Sequence, residues 1–262
     1  MLTIIKDLFS NSSNKSIPGT GTEIGTVQQN NNDLKLFPLT KYKNCTYKYV
    51  LESNDEKYMK YLISNFKILM LDISDFLEYV RSKNKYVVEI TKLLNIKLLL
   101  DTETTGFANY DHVLQLSYVM FNDVEILKSF NQLIKINPKI KITNSDIHGI
   151  TNDRSFKEGI PIIDALDRLL YDLKYCNSII GHNIGFDIRM LKNEFVRNKI
   201  DCSLFESKLL EDTMTLHGGR IKLGKLYEDL FHEPMVNAHD AYYDVMATYK
   251  IYRKLIKDKS KS

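Results

Sequence analysis

Apolar residues occur in short blocks from about residue 96 onward, and these blocks have the length of β-strands. Four blocks predict strands: IKLLLDTE (96–103), VLQLSYVMF (113–121), SFNQLIKI (129–136) and SII (178–180). The first is a continuous apolar run bounded by a turn signal, which is typical of a strand in the middle of a sheet. The second alternates, which places Leu114, Leu116, Tyr118 and Met120 on one face of a strand.

Helical periodicity follows these strands. Pro161 can open a helix, and the apolar residues after it recur on one stripe at Ile162, Leu166, Leu169 and Leu173. Three further segments predict helices: GFDIRMLKNEFVRNK (185–199), KLGKLYEDLF (222–231) and HDAYYDVMATYKIYRKLIK (239–257). Strands followed by helices predict an α/β domain around a mixed sheet, flanked by helices, over residues 96–257, with a basic C-terminal tail at 258–262.

The N-terminal third has a different pattern. Residues 10–33 are polar and rich in Ser, Gly and Asn, which predicts a flexible linker within a tail at 1–33. Residues 34–95 predict a small α+β accessory module. In this module we expect short strands or turns, then one helix capped by Asp55 and a second capped by Ser74.

Composition narrows the classes of protein. The net charge of +3 lies in residues 1–95, where 13 Lys and Arg stand against 10 Asp and Glu, while residues 96–262 hold 23 of each. Three distant cysteines form neither a zinc motif nor a disulfide framework. The first ten residues lack a signal-peptide core, and no apolar run has the length of a membrane span. We therefore expect an intracellular protein, cytoplasmic or nucleoid-associated and not secreted, with no membrane partner.

Two acidic residues end the first predicted strand. Asp101 and Glu103 are two residues apart, so their side chains should project from the same face. Adjacent carboxylates repel each other and need a cation. Oxygen ligands without a nearby cysteine favour Mg²⁺ or Mn²⁺ over zinc. A solvated turn after the strand is the alternative, and the short motif does not distinguish the two.

Two later segments favour the metal site. GHNIGFD (181–187) brings Asp187 to a strand-to-helix edge, and NAHDAYYDV (237–245) places His239 at a helix entrance with Asp244 one turn inside. Alone, each is explained as a helix cap or a structural histidine. Together they supply four carboxylates for two divalent ions and one imidazole that can take up a proton near neutral pH. The set predicts metal-assisted hydrolysis of a phosphodiester.

The motifs DTETTGF (101–107), GHNIGFD (181–187) and HDAYYD (239–244) resemble those of the DnaQ-like DEDDh 3′–5′ exonuclease family. IHGIT (147–151) resembles a further segment of that family. The resemblance implies a ribonuclease H-like fold, two Mg²⁺ or Mn²⁺ ions, and release of nucleoside 5′-monophosphates from a 3′ end.

By the same resemblance, four carboxylates are expected to be catalytic metal ligands and one histidine the general base. The four are Asp101, Glu103, Asp187 and Asp244, and the base is His239. Substrate contacts are expected from the backbone after Glu103 and from the ring of Phe107, since aromatic rings stack on bases. The full set of expected substrate-binding residues is Thr104, Gly106, Phe107, His148, Asn183 and Phe186. Packing or turn chemistry is an equal alternative for the last three.

The segment LTKYKNCTYKYVLESNDEKYMKYLI (39–63) resembles the small accessory module of exodeoxyribonuclease X-type nucleases. The residues that match are Lys41, Tyr42, Lys43, Tyr47, Val50 and Tyr58, whereas Thr40 and Asn44 replace glycines and Tyr61 replaces a tryptophan. Lysines beside tyrosines can bind a phosphate backbone. A lysine-bearing surface over a small aromatic core is the alternative.

We therefore expect a 3′–5′ exonuclease that acts on single-stranded or frayed nucleic acid with a free 3′ end. DTETTG resembles the DNA-proofreading and exodeoxyribonuclease branch, which favours DNA and a role in replication or repair, with a polymerase or repair protein as a candidate partner. Two alternatives remain: an RNA 3′-end trimming nuclease of the same fold, and an inactive nucleic-acid-binding subunit.

Overall fold

The computed structural model describes residues 31–260, and the chain divides into two compact units after Leu94. From residue 31 onward, the N-terminal unit contains two short 3₁₀ turns and four helices, α1 Tyr47–Glu52, α2 Glu56–Ser64, α3 Phe66–Ser82 and α4 Val87–Leu94. The C-terminal unit contains five strands, β1 Lys97–Thr104, β2 Val113–Phe121, β3 Ile126–Leu133, β4 Ser178–Gly181 and β5 Leu209–Asp212. Its helices are α5 Ser145–His148, α6 Asn152–Glu158, α7 Ile162–Leu173, α8 Gly185–Arg197, α9 Ser203–Glu206, α10 Thr213–His217, α11 Leu223–Phe231 and α12 Ala241–Lys259.

An aromatic cluster forms the core of the N-terminal unit. The ring centroids of Phe37 and Phe76 lie 4.8 Å apart, and those of Tyr47 and Phe76 lie 5.2 Å apart, both edge to face. Such pairs stabilise a small core beyond the effect of the area they bury. The unit that the sequence predicted as α+β is helical in its described part. Its β component there is one isolated bridge between Leu36 and Thr46.

The helix boundaries in this unit agree with the sequence at one position and differ at another. Asp55 caps α2 as expected, because its carboxylate accepts a hydrogen bond from the backbone N–H of Tyr58 at 3.0 Å. The expected cap at Ser74 is wrong. Ser74 lies inside α3, where its hydroxyl donates to the carbonyl of Met70. The apolar stripe of α3 continues through this serine, and the preceding break falls at Asn65 instead.

Three of the expected phosphate-binding residues in this unit are buried or have partners within the unit. Tyr47 is buried, so its ring has no free face for a base. Lys41 forms an ion pair with Asp55, and the hydroxyl of Tyr42 donates to the same carboxylate at 2.9 Å. These contacts agree with the alternative of lysines over a small aromatic core.

A mixed sheet is the centre of the C-terminal unit, as the sequence predicted, and it has five strands in the described residues. The strand order is β3-β2-β1-β4-β5, with β1 antiparallel to β2 and parallel to β4. The helix α12 covers one face, where Val245 and Tyr252 pack against Leu99 and Val119. Since β1 lies in the middle of the sheet, its three leucines, Leu98, Leu99 and Leu100, are buried, as the continuous run in the sequence predicts.

Three details of this unit were not predicted from the sequence. All nine residues of β2 are buried, so both faces of this strand lie in the interior. β3 begins three residues earlier than expected, at Ile126, and ends at Leu133. β5 was not predicted, because it is a short edge strand whose first residues, Leu209 and Leu210, are exposed.

Both chain ends were expected to be tails. Residues 1–30 and 261–262 lie outside the described part. Residues 31–33, assigned to the linker, belong to a 3₁₀ turn at Asn31–Leu34, and Asp33 there pairs with Lys83 at 3.1 Å. At the other end, α12 continues to Lys259, into the segment predicted as a tail. None of the helices within residues 31–260 combines the length and the apolar character needed to cross a bilayer.

Candidate active site

The central strand β1 carries the first two acidic residues. Its pairing with β4 ends at Leu99, whereas its pairing with β2 continues to Thr104. Asp101 and Glu103 therefore lie where β1 extends beyond its parallel neighbour, which leaves space at the edge of the sheet. Both side chains are half-buried and share one face of the strand, as expected from their spacing.

The first turn of α12 carries the third acidic residue, Asp244. This turn is tied to the sheet by Gln115 of β2, whose side chain accepts from Ala241 N–H at 3.4 Å and donates to Asp240 at 3.3 Å. Asp240 in turn caps α12 by accepting from the N–H of Tyr242 at 3.0 Å. The helix start is thus fixed over the end of β1. Gln115 and Asp240 were not identified from the sequence, since their roles depend on contacts between distant segments.

Three carboxylates converge at this point. One oxygen each from Asp101, Glu103 and Asp244 lies within 4.8 Å of the others, and in the described part of the chain this is the group with the spacing of a metal site. Asp187 is close to Asp101 but outside this group. Its Oδ1 accepts two hydrogen bonds from Thr102, at 2.9 Å from the backbone N–H and at 2.7 Å from the hydroxyl.

The pKa of each of these four carboxyl groups is raised above its ordinary value. Burial is the largest cause in every case. It raises the pKa of Glu103 to about 8, that of Asp187 to about 7 and that of Asp244 to about 6. The pKa of Asp101 lies well above its ordinary value, and the neighbouring charges of Asp187 and Asp244 add to the effect. Acids arranged in this way favour a bound cation, which would offset their mutual repulsion.

The donor set fits a hard divalent cation. All the converging ligand atoms are carboxylate oxygens, which Mg²⁺ and Mn²⁺ prefer. The free cysteines in the described residues are Cys45, Cys176 and Cys202, and none of them belongs to the group.

His239 lies at the rim of the same cleft. Its side chain is exposed, and its backbone N–H points to both oxygens of Asp244 at 3.3 Å each. The residue has a φ of 70°, a left-handed conformation in which non-glycine residues are uncommon. The turn therefore places the imidazole at the mouth of a cleft of about 710 Å³ that Asp101 and Asp244 also line.

A tight turn follows β1 and holds the segment expected to contact substrate. The carboxylate of Asp111 accepts from the hydroxyl of Thr105 at 3.0 Å and from the N–H of Ala108 at 2.7 Å. A Cβ at Gly106 would lie 2.5 Å from this carboxylate, so only glycine fits there. The hydroxyl of Thr104 donates to the carbonyl of Gly106 at 2.7 Å. Thr104 and Gly106 thus shape the turn, and Asp111 is an organising residue that the sequence analysis missed.

An aromatic pair lies on the surface beside this turn. Phe107 is 65% exposed, and its ring centroid lies 6.0 Å from that of Phe186. Arg189 lies over the ring of Phe186 and donates to the backbone carbonyl of Phe107 at 3.1 Å. The structure therefore brings two of the expected substrate residues together, with one ring available to a base.

His148 and Asn183 have contacts within the protein. The Nε2 of His148 donates to the carbonyl of Thr104 at 3.2 Å, and its Nδ1 accepts from the N–H of Ile150 at 3.1 Å. Both ring nitrogens are thus used to hold the turn after β1. Asn183 lines the cleft in a left-handed conformation, and its N–H donates to Asp212 at 3.1 Å. Asp212 was not identified from the sequence. Its position just before α10, where polar residues often cap a helix, was the one sign of its role.

The strand order and the acidic site together define the class of domain. It is an α/β domain of ribonuclease H-like fold with an acidic site at the end of its central strand. The sequence pattern of the RNase_T exonuclease family matches residues 98–252, more than half of the chain. The chain belongs to this exonuclease family.

Comparison with known proteins supports the fold. The DNA polymerase III PolC-type protein of Mycoplasmopsis pulmonis is 26% identical over 149 residues, which are 53% of this chain and 10% of that protein. The structure of E. coli exonuclease I in complex with a dA16 oligonucleotide has a TM-score of 0.54 at 21% identity, covering 63% of this chain and 41% of that one. A 3′-exonuclease that recognises the 3′ end of a histone mRNA stem-loop has a TM-score of 0.53 at 16% identity, covering 63% and 82%. The chain thus spans a small part of the polymerase and less than half of exonuclease I.

Proposed function

We propose that this protein is a metal-dependent 3′–5′ exonuclease of the DEDDh type that releases nucleoside 5′-monophosphates. The observation that carries the proposal is the convergence of Asp101, Glu103 and Asp244 within 4.8 Å at the end of the central strand. Carboxylates so close together are costly without a cation, and in an exonuclease family their natural use is to bind ions that contact the phosphodiester.

In this proposal, Asp101, Glu103, Asp187 and Asp244 hold two divalent ions, Mg²⁺ or Mn²⁺. The bound ions would supply positive charge to the phosphate oxygens and promote deprotonation of the attacking water. Thr102 orients the carboxylate of Asp187 through its two hydrogen bonds. His239 acts as the general base, because its exposed imidazole can accept the proton of the water at the mouth of the cleft.

Substrate contacts come from the turn after β1 and from the start of α8. The exposed ring of Phe107 stacks on the terminal base, and Phe186 supports that ring from the side. Thr104 and Gly106 present the backbone of the turn to the terminal nucleotide, while Asn183 contacts it from the cleft wall. His148 stabilises this turn through its hydrogen bond to the carbonyl of Thr104.

DNA with a free 3′ end is the proposed substrate. Support comes from the relatives named as DNA polymerases and from the likeness to exonuclease I bound to a DNA oligonucleotide. A polymerase or another replication or repair protein is the proposed partner. RNA is the second candidate, because the fold is equally similar to a 3′-exonuclease that recognises histone mRNA.

A degradation assay on matched oligonucleotides tests the proposal. DNA and RNA of one sequence carry a 5′ label and are incubated with Mg²⁺, Mn²⁺ or EDTA. We expect a ladder that shortens from the 3′ end, faster on DNA, that requires the metal and that Glu103→Gln abolishes. Glu158→Gln, at an exposed carboxylate on α6, is the matched control. If the labelled oligonucleotides keep their full length with both Mg²⁺ and Mn²⁺, the proposal is contradicted. If the RNA is shortened faster than the DNA, the proposed substrate preference is reversed.

A further inference from the structure

Two cations on the wall of the catalytic cleft have no role in the mechanism above. Arg220 and Lys222 line the cleft together with Asp101, His239 and Asp244. Both side chains are exposed, and within residues 31–260 neither forms a salt bridge. The neighbouring Lys225 differs, because it pairs with Asp229 at 2.7 Å. Arg220 and Lys222 are therefore available to a ligand.

The loop that carries these cations is fixed at its centre. It connects α10 to α11 through residues 218–222 and leaves α10 at Gly218, whose φ of 105° suits glycine. Between the two cations lies Ile221, whose carbonyl oxygen is 2.8 Å from Nε2 of His182. The Nδ1 of His182 lies 2.8 Å from the hydroxyl of Thr213.

The hydrogen bonds assign the tautomer of His182. A carbonyl oxygen can only accept, so Nε2 carries a proton and donates to Ile221. Burial lowers the pKa of His182 and favours the neutral ring, whose Nδ1 then accepts from Thr213. The histidine follows β4 directly, so it connects the loop to the end of a sheet strand. The backbone between the two cations is thus anchored on the wall of the cleft that Asp101 and Asp244 also line.

Phosphate is the chemical group that suits this arrangement. A guanidinium presents a planar fork of donors to phosphate oxygens, and an ammonium supplies a point charge. Metal ions at the carboxylates would contact the linkage being cut. Cations on the wall of the same cleft are placed to contact another phosphate of the same strand.

We infer that Arg220 and Lys222 bind the phosphodiester backbone of the substrate strand next to the linkage being cut, and that His182 is a positioning residue that holds their loop. The inference rests on the proposed function for the identity of the strand. It adds a set of contacts that recognise the backbone rather than the bases, so it applies equally to DNA and RNA.

Salt dependence of binding tests the contacts separately from hydrolysis. The full chain is titrated against a 5′-fluorescein oligothymidylate by anisotropy, with Ca²⁺ in place of the catalytic ion, across a salt series. Each phosphate contact to a single strand contributes about 0.7 to the slope of log K against log salt. Arg220→Gln/Lys222→Gln should therefore reduce the magnitude of the slope by about 1.4 and weaken binding roughly 10- to 100-fold at low salt.

A matched pair controls for total charge. Lys139 and Lys257 are exposed, form no salt bridge within the described residues and lie outside the cleft. Lys139→Gln/Lys257→Gln removes the same charge and should leave the slope and the affinity as in the wild type. If both pairs reduce the slope equally, or if Arg220→Gln/Lys222→Gln leaves it unchanged, the inference is wrong.

Variants of His182 test the positioning role. His182→Phe should weaken binding and raise KM, since the loop loses its anchor, whereas His182→Gln should restore both because its amide can donate to Ile221. If His182→Phe and His182→Gln weaken binding equally, the histidine contributes packing only and does not position the loop through its hydrogen bond. If the wild type binds the oligonucleotide but releases no nucleotide with Mg²⁺ or Mn²⁺, the proposed function fails and the binding result still decides the inference.

Discussion

Replacing Asp101 by asparagine should stabilise the metal-free protein while it abolishes turnover. Asp101, Glu103 and Asp244 place oxygens within 4.8 Å of one another. At an effective dielectric constant of about 20, two full charges at that separation repel by about 3 kcal/mol. Asp101→Asn keeps the shape of the side chain and removes its charge. In residues 31–260 the carboxylate of Asp101 has no hydrogen bond that the change would break.

The stability that Asp101→Asn adds to the metal-free protein should increase as the pH rises. A carboxyl group with a folded-state pKa above its unfolded value holds its proton more tightly in the folded protein. Its folded form is therefore most stable below the unfolded pKa and loses stability as the pH rises through the folded pKa. For Glu103 this interval runs from its ordinary value of 4.5 to about 8. The gain from Asp101→Asn should thus be largest near pH 8, at about 3 kcal/mol, and should shrink toward pH 5.

Thermal unfolding in EDTA between pH 5 and pH 8.5 measures this effect. A gain of about 3 kcal/mol corresponds to a rise in Tm of roughly 6–12 °C for a unit of this size. Addition of Mg²⁺ should raise the Tm of the wild type more at pH 8 than at pH 5, and should have little effect on Asp101→Asn. Asp167→Asn, at an exposed carboxylate on α7, is the control. A lower Tm for Asp101→Asn at pH 8 in EDTA, or a gain that does not change with pH, would refute the reasoning.

Three further predictions follow from individual contacts. Gly106→Ala should lower stability by about 1–3 kcal/mol, because its Cβ meets the Asp111 carboxylate, and an unchanged urea midpoint would contradict this. Phe107→Ala should raise KM about 5- to 100-fold if its exposed ring stacks on a base, as steady-state kinetics on a short oligonucleotide would show. Tyr47→Ala should destabilise the N-terminal unit by about 3 kcal/mol, seen as faster proteolysis of that unit, whereas an unchanged cleavage rate would show that its core tolerates the cavity.

Local patterns were sufficient to predict the main elements of the catalytic unit. The apolar run that ends at Asp101 predicted β1, and the helical stripes predicted α7, α8 and α12, because strand and helix periods differ clearly over these lengths. The short edge strand β5 carries no such pattern, since its first two residues are exposed leucines. At Ser74 a local pattern was present but misleading. Serine is suited to a helix cap, yet this serine lies inside α3, whose apolar stripe continues past it.

The candidate site was also predicted only in part from the sequence. Spacing alone placed Asp101 and Glu103 on one face, and the structure adds Asp244 to them. The residues that hold the site were not predicted. Two of them act through contacts between distant segments, and Asp111 acts within its own turn, where no periodic pattern marks it. Asp111 shapes the turn after β1, Gln115 fixes the start of α12, and His182 anchors a loop 39 residues further along the chain.

The origin of the oxygen in the released nucleotide tests the central claim most directly. The wild type digests a DNA oligonucleotide with Mg²⁺ in water enriched in ¹⁸O, and mass spectrometry analyses the products. Attack of water on phosphorus with loss of the 3′ oxygen predicts a nucleoside 5′-monophosphate that carries one ¹⁸O in its phosphate, together with a shortened strand that ends in a 3′ hydroxyl. A nucleoside 3′-phosphate, or mononucleotides released from the 5′ end, would contradict the account.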